Sequence, residues 1–268
     1  MNSAKTELQR WIRFTPQQRM ARFAVFFMMV ATIAWALKTI EIIPEFLYDA
    51  PEQVADMGKR MWPIDWAHFW PAVWPALIET LHIAALATIL GLIMGIPVGF
   101  LAARNATPFL WINAIAKFIL VATRSISTLI WALFFVAMFG PGALAGALAI
   151  AFHSIGFIGK MFSEGVEEAN KGSIEALQAA GATRMQQIVM GYWPMVLPTF
   201  WSVALFRWDI NVRESVVLGL VGAGGIGMVL NAAIDLLQWD RVSLVLLTIF
   251  IVVILIEAMV TQIRKRVI

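Results

Sequence analysis

The chain has 268 residues, of which 60% are hydrophobic and 14% charged, against roughly 25% charged in an ordinary soluble domain, so no single water-soluble core could cover its apolar surface and a bilayer is the expected solvent. Cysteine is absent, which removes disulfides, thiolate metal sites and thiol nucleophiles together, and the three histidines, His68, His82 and His153, stand too far apart in sequence to suggest a metal cluster. The net charge is only +3; no nucleic-acid partner is expected, and the placement of the charges says more than their sum.

Residues 1–20 are polar and basic, with Trp11, Ile12 and Phe14 set among arginines and glutamines. That pattern suits an amphipathic helix on the inner leaflet; a disordered basic tail is the alternative. No short apolar region with a small-residue cleavage site is present in it, so a cleaved signal peptide is not expected. Crossing a bilayer takes about 20 mostly apolar residues. By that measure spans are expected near residues 21–38, 71–101, 108–139, 143–163, 195–218 and 242–263, which makes an all-α membrane protein of six transmembrane helices. Residues 1–70 then hold the interfacial segment, the first span and an outer loop, and residues 71–268 hold a core of five spans.

Lys5, Arg10, Arg13, Arg19 and Arg22 precede the first span, Arg104 follows the second, Lys160, Lys171 and Arg184 flank or occupy the loop after the fourth, and Arg264, Lys265 and Arg266 follow the sixth. The 39–70 loop instead carries Glu41, Glu45, Asp49, Glu52, Asp56 and Asp65. The positive-inside rule therefore places both ends of the chain on the cytoplasmic side. In the second span, Glu79 and His82 are three apart and are expected to satisfy each other.

The third span, residues 108–139, would make a straight helix of about 48 Å, well beyond the roughly 30 Å hydrocarbon core. It also contains Lys117 and Arg124, so a break or bend is expected near Arg124-Ser125-Ile126-Ser127. In the fourth span, His153 reads equally as a hydrogen-bonded packing residue and as part of a pathway.

Residues 164–192 form the one sizeable cytoplasmic loop. Ser173 is placed to cap a short helix that ends at Gly181, and Thr183-Arg184-Met185-Gln186 reads as a capping box that starts a second helix. Pro194 and Pro198 are expected to kink the start of the fifth span. Capping by itself suits an ordinary helical hairpin as well as a docking element.

The fifth span carries Arg207, Asp209, Arg213 and Glu214 beside Trp208 and Asn211. Ionisable groups at membrane depth usually face a cavity or a partner. Asp209 and Arg213 are four apart and are expected to pair on one helix face, which leaves Arg207 or Arg124 to meet an anion. Arginine's planar donors match the oxygens of phosphorus oxyanions, and Ser125, Ser127, His153 and Asn211 could add neutral donors. After this span, Gly222-Ala223-Gly224-Gly225-Ile226-Gly227 satisfies G-x-G-x-x-G, but no βαβ unit surrounds it, so a dinucleotide site is rejected. The glycines are expected to permit a tight turn and close backbone approach at an outer gate.

Glu175-Ala176-Leu177, three residues, Gly181 and then Pro194 resemble the Glu-Ala-Ala loop of ABC importer permeases, whose pattern is Glu-Ala-Ala, three residues, Gly, nine residues, Ile, one residue, Leu-Pro. Leu177, Gly191 and Trp193 depart from it, while Glu175, Ala176, Gly181 and Pro194 match. From about Tyr48 onward the chain is also similar to the phosphonate-type permeases, through residues 59–66, 124–133, 153–156 and 206–215; that family often has proline where Ser127 stands. The resemblance implies a type I importer fold in a bacterial inner membrane, with the translocation pathway along Arg124, Ser125, Ser127, Trp131, His153, Arg207, Trp208, Asn211 and Arg213. It further implies a permease homodimer, two ATP-binding cassette subunits reached through the 175–181 helix, and a periplasmic substrate-binding protein. This chain has no P-loop, since Gly156-Phe157-Ile158-Gly159-Lys160-Met161 has the wrong spacing. It is therefore expected to be non-catalytic and to hold no cofactor, with ATP and Mg2+ on the partner. A secondary transporter driven by an ion gradient is the alternative, though no two-half repeat is evident.

Overall fold

The computed structural model describes residues 14–40, 44–107 and 109–267, and among these every regular element is a helix. The described residues divide into two compact units, one up to Asp56 and one from Met57.

In the first unit, α1 (Pro16–Thr39) opens on a capping box: the Thr15 hydroxyl accepts from the Gln18 amide and the Gln18 side chain accepts from the Thr15 amide at 3.1 Å. Pro16 sits at the first helical position, where its missing N–H costs nothing. The helix is apolar and long enough to cross a membrane. The first span thus begins at Pro16, earlier than residue 21, because a capped first turn tolerates the polar residues Gln17, Gln18 and Arg19. The expected interfacial helix lies outside the described residues up to residue 13; from Pro16 the chain is already in α1. α2 (Pro44–Arg60) follows, so the stretch expected as an outer loop is largely helical, with Pro51 inside the helix.

The second unit is built around α6 (Ala143–Glu167), the most enclosed of its long apolar helices. α3 (Trp74–Ala102) lies along it, and the seam is made of small residues. A side chain at Gly91 would come 2.8 Å from the Ser154 Cβ, one at Gly95 3.2 Å from the Ile158 Cβ, and one at Gly99 2.8 Å from the Gly159 carbonyl oxygen. Glycine every fourth residue lets two backbones approach where lipid supplies no hydrophobic drive between helices. α4 (Leu110–Ser125), α5 (Thr128–Phe139) and α9 (Trp193–Gly219) pack on the remaining faces of α6, and α11 (Trp239–Val267) packs on α9.

Two widened, π-helical turns, Phe69–Val73 and Gln187–Tyr192, each precede a Trp-Pro step, Trp74-Pro75 and Trp193-Pro194. Proline lacks a donor and its ring crowds the turn before it, and a wider turn relieves both. Pro194 and Pro198, expected to kink the start of the fifth span, are instead taken into one continuous helical stretch, with Pro194 directly after the π-helical turn and Pro198 inside α9 (Trp193–Gly219). Residues 57–70, grouped in the sequence with the first span, belong to the compact second unit. They are tied to α11 by Asp65–Arg241 at 3.2 Å and by Ser243 donating to the Met61 carbonyl at 2.8 Å.

The third span is broken. α4 and α5 meet at 88° across Ile126 and Ser127. No proline makes this break. The Ser127 hydroxyl accepts from the Leu129 amide as the N-cap of α5, and Trp131 Nε1 reaches back across the bend to the Thr123 carbonyl at 3.3 Å. His153 Nδ1 holds the Ile126 carbonyl at 3.2 Å from the side of α6.

The two ends of the second unit carry the loops that charge had sorted. At one end, the α3–α4 turn is stitched to the end of α6, with Asn105 donating to the Val166 carbonyl at 2.7 Å and the Arg104 amide donating to Glu167 at 2.9 Å. Tyr192 donates to the Asn105 carbonyl there, at 3.2 Å. At the other end, Gly222 accepts from the Gly142 amide at 2.9 Å and Thr80 accepts from the Ile226 amide at 2.8 Å. Arg104, Lys171 and Arg184 therefore share an end with one another, away from the glycine-rich turn.

Candidate functional site

Three features with functional chemistry arise from this frame: a protruding helix at one end, a glycine-built turn at the other, and two cavities with charged side chains in their walls around the broken span.

The protruding helix is α7 (Lys171–Ala179). It starts three residues earlier than the Ser173 cap expected, because Asn170 accepts from the Gly172 amide at 2.9 Å and takes the N-cap role. Its end follows the sequence closely. Gly181 has φ +80°, which only glycine adopts freely; its amide bonds to the Gln178 carbonyl at 2.9 Å, and the Ala182 amide bonds to the Leu177 carbonyl at 2.9 Å. Those two bonds form a Schellman cap. Thr183 and Gln186 then make the expected capping box that opens the short helix α8 (Arg184–Gln186). α7 lays buried Ile174 and half-buried Leu177 onto the π-helical turn, and its other side exposes Glu175, Ala176, Gln178 and Ala179. The departures from the Glu-Ala-Ala pattern compensate each other. A Cβ at Gly191 would lie 2.5 Å from Ile174 Cδ1 and 3.0 Å from Leu177 Cδ1, so the small residue at 191 makes room for the large one at 177.

At the opposite end, Gly222, Gly224 and Gly225 have φ of +84°, +86° and +75°. They fold the chain back after α9 into the short helix α10 (Ile226–Asp235). Gly227 lies against Gly219, where a side chain on Gly219 would come 2.5 Å from the Gly227 Cα. A side chain at Gly224 would come 3.0 Å from Glu79 Oε1, so Glu79 faces this turn, and no hydrogen bond joins it to His82.

Around the broken span, the residues singled out from sequence separate into distinct roles. Ser127 and Arg213, with Thr128, Leu129 and Glu214, line a cavity of about 270 Å³ at the N-terminus of α5. Arg213 pairs with Asp209 as expected, and its side chain is 47% exposed against 9% for Asp209. A guanidinium has five N–H donors, so Arg213 keeps donors for the cavity. Arg207 instead is 3% exposed. It donates to Ser154 at 2.9 Å and to Glu214 at 3.2 Å. Asn211 is fully buried, donating to Thr88 at 2.8 Å and accepting from Ser154. Thr128 donates to Glu214 at 3.2 Å. One chain of contacts thus runs from Thr88 on α3 through Asn211, Ser154, Arg207 and Glu214 to Thr128 at the bend.

Arg124, on the other arm of the bend, lines a different cavity of about 170 Å³ with Lys117, Lys160, Ser163 and Glu167. Ser125 donates to the Val121 carbonyl of its own helix at 2.7 Å. Trp131 stacks on Phe135 with ring centroids 6.1 Å apart, and Trp208 packs among Ala84, Val212, Ile256 and Val260. Sequence reading had not assigned roles to Glu214, Ser154, Thr128 or Thr88. Glu214 carried a signal, being a carboxylate seven residues after Arg207 and so on the same helix face; the hydroxyls carried none. Among the described residues no group of acidic, histidine or cysteine side chains is placed to hold a metal.

A phosphite transport system permease protein of Stutzerimonas stutzeri is 35% identical over 93% of this chain and 90% of its own. A phosphate-import permease protein of Mycolicibacterium smegmatis is 36% identical over 87% of this chain and 43% of its own. An inward-facing methionine ABC transporter structure superposes with a TM-score of 0.66 at 25% identity, covering 76% of this chain and all of that one. Residues 95–268, the stretch that holds the broken span, the protruding helix and the glycine turn, match the binding-protein-dependent transport system inner membrane component family, and the chain belongs to that family.

Proposed function

We propose that the chain is the permease subunit of an ATP-driven importer for a small phosphorus oxyanion (phosphonate, phosphite, hypophosphite or phosphate), and that two copies form the translocation pathway. The observation that carries the reading is the α7 knuckle. A nine-residue helix capped at both ends, with Glu175 and Ala176 exposed beyond the end of α6, offers a separate ATPase subunit a small rigid surface. The phosphite and phosphate permeases among its relatives support the substrate class. The knuckle end is the cytoplasmic one in this reading, since it gathers Arg104, Lys171 and Arg184, and the membrane is the bacterial inner membrane.

A loaded binding protein docks at the outer end, near the 222–227 turn, which serves as outer gate. ATP binding on the partner draws the two knuckles together and moves α6 and α9. The anion passes the cavity at the bend, where Arg213 supplies charge-assisted donors and the N-terminus of α5 adds partial positive charge. Arg207 and Asn211 act behind that wall, Arg207 holding Glu214 so that its charge does not face the anion alone. Hydrolysis then reopens the inner side. A gradient-driven carrier would leave both the family match and the capped knuckle without a purpose.

The test is uptake into vesicles reconstituted with the permease, its ATPase subunits and a loaded binding protein. Uptake of phosphite or phosphonate should need all three and ATP. Uptake by the permease alone, driven by an ion gradient, would refute the reading.

A further inference from the structure

The cavity beside Arg124 is separate from the one at the bend, and its chemistry points to a second ligand site. Lys117 and Arg124 are seven residues apart on α4, and Lys160 and Glu167 seven apart on α6, so each pair lines one helix face. Gly156 and Gly159 bring α6 against Leu120 of α4 beside these two faces. Three cations therefore enclose about 170 Å³, against the single lining carboxylate of Glu167. Lys117 leans on Glu167 at 3.8 Å and Lys160 on Glu164 at 2.8 Å. Glu167 is further engaged by the Arg104 amide at 2.9 Å. Arg124 has no carboxylate within ion-pair distance among the described residues.

We infer that this cavity binds a tetrahedral phosphate group through the Arg124 guanidinium, with the Lys117 and Lys160 ammonium groups turning from their carboxylates to share it. A planar fork matches phosphate oxygens two at a time, and the two lysines act as movable point charges on the remaining oxygens. A single carboxylate ligand would satisfy Arg124 but leave the lysines without a use for the space. The volume is several times the roughly 30 Å³ share of one water, enough for a phosphate with some of its hydration. The group is either a free inorganic anion on the knuckle side or the headgroup of an anionic phospholipid lodged between α4 and α6. Basic pockets between membrane helices hold headgroups in this way. Only the side of the membrane is borrowed from the importer reading; binding itself does not depend on it.

The experiment uses the permease–ATPase complex purified in a phosphate-free maltoside detergent. In one arm inorganic phosphate is titrated and binding followed by calorimetry; in the other, phosphatidylglycerol is added and retained lipid counted by native mass spectrometry. Saturable phosphate binding weakened about tenfold or more by Arg124→Gln, and still weakened by it when Arg213→Gln has removed the donor at the bend, supports a free-anion site. Absence of phosphate binding, with phosphatidylglycerol retained by the native complex and lost on Arg124→Gln, supports a headgroup site. Lys160→Gln must weaken the same signal, and it carries the test if Arg124→Gln does not assemble. Binding indifferent to both substitutions in both arms, or phosphate binding lost with Arg213→Gln instead, overturns the proposal, whether or not the vesicles described above transport phosphite.

Discussion

Arg207 and Arg213 stand six residues apart on one helix, yet their surroundings assign them opposite tasks. Arg207 is sealed among α6 and α9 with Ser154 and Glu214; removing its carboxylate partner would strand a buried charge, at a cost of about 3–5 kcal/mol. Arg213 keeps about half of its side chain open to the cavity that Ser127 lines. Losing a charge-assisted hydrogen bond costs about 1.5–3 kcal/mol, or roughly ten- to a hundredfold in binding. Arg213→Gln should therefore raise the half-saturating concentration for uptake by about that factor, with yield of the folded complex maintained. Glu214→Ala should instead lower the yield and thermal midpoint of the purified protein, as detergent melting curves would show. Equal transport by Arg213→Gln and the native chain would remove this guanidinium from the pathway.

At the scale of elements, the bend between α4 and α5 is already shaped for a proline at position 127. Ser127 has φ −59° and ψ 143°, within the range a pyrrolidine ring allows. Ile126 before it has φ −90° and ψ 129°, the extended form that a following proline demands. Ser127→Pro gives up a cap worth about 1 kcal/mol and regains about 0.4–1 kcal/mol by stiffening the unfolded chain. Stability should be nearly unchanged and transport kept within about twofold, whereas Ser127→Ala loses the cap with nothing in return. The knuckle follows a second volume rule. Gly191→Ile should dislodge α7 through the methyl groups of Ile174 and Leu177, uncoupling ATP hydrolysis from transport. Adding Leu177→Ala removes the contact with Leu177 Cδ1, so the double variant should recover part of the ATPase association, measured by copurification, that Gly191→Ile alone loses.

For the whole molecule, the seam between α3 and α6 is the constraint that the other helices inherit. Closing it sets Ser154 of α6 against Gly91, one turn from Thr88 on α3, so that Asn211 and Arg207 of α9 meet both helices at once and the polar chain can continue to Thr128. Gly99→Leu, which would drive a side chain into the Gly159 backbone, should abolish recovery of folded protein from membranes. Gly58→Leu, where nothing lies within 4 Å, should leave recovery normal. If Gly99→Leu were recovered in full, the seam would not be the organising contact.

Much of this protein was legible along the chain because the governing rules are local. Apolar length located the spans, loop charge sorted their ends, an over-long third span announced its own break at residues 125–127, and Thr183 with Gly181 declared the boundaries of the knuckle. The separation of Asp209–Arg213 from Arg207 also followed from helical spacing. What spacing along one helix could not contain is which side chain of another helix stands opposite it. Ser154 and Thr88 became partners of Arg207 and Asn211 only when glycines on α3 and α6 let those backbones close, and Arg124 parted from Ser127 only when the 88° bend turned them toward different cavities. Hydropathy and capping act over a turn or two of chain; the assignment of each arginine to wall, cavity or buried pair is a property of distances through space.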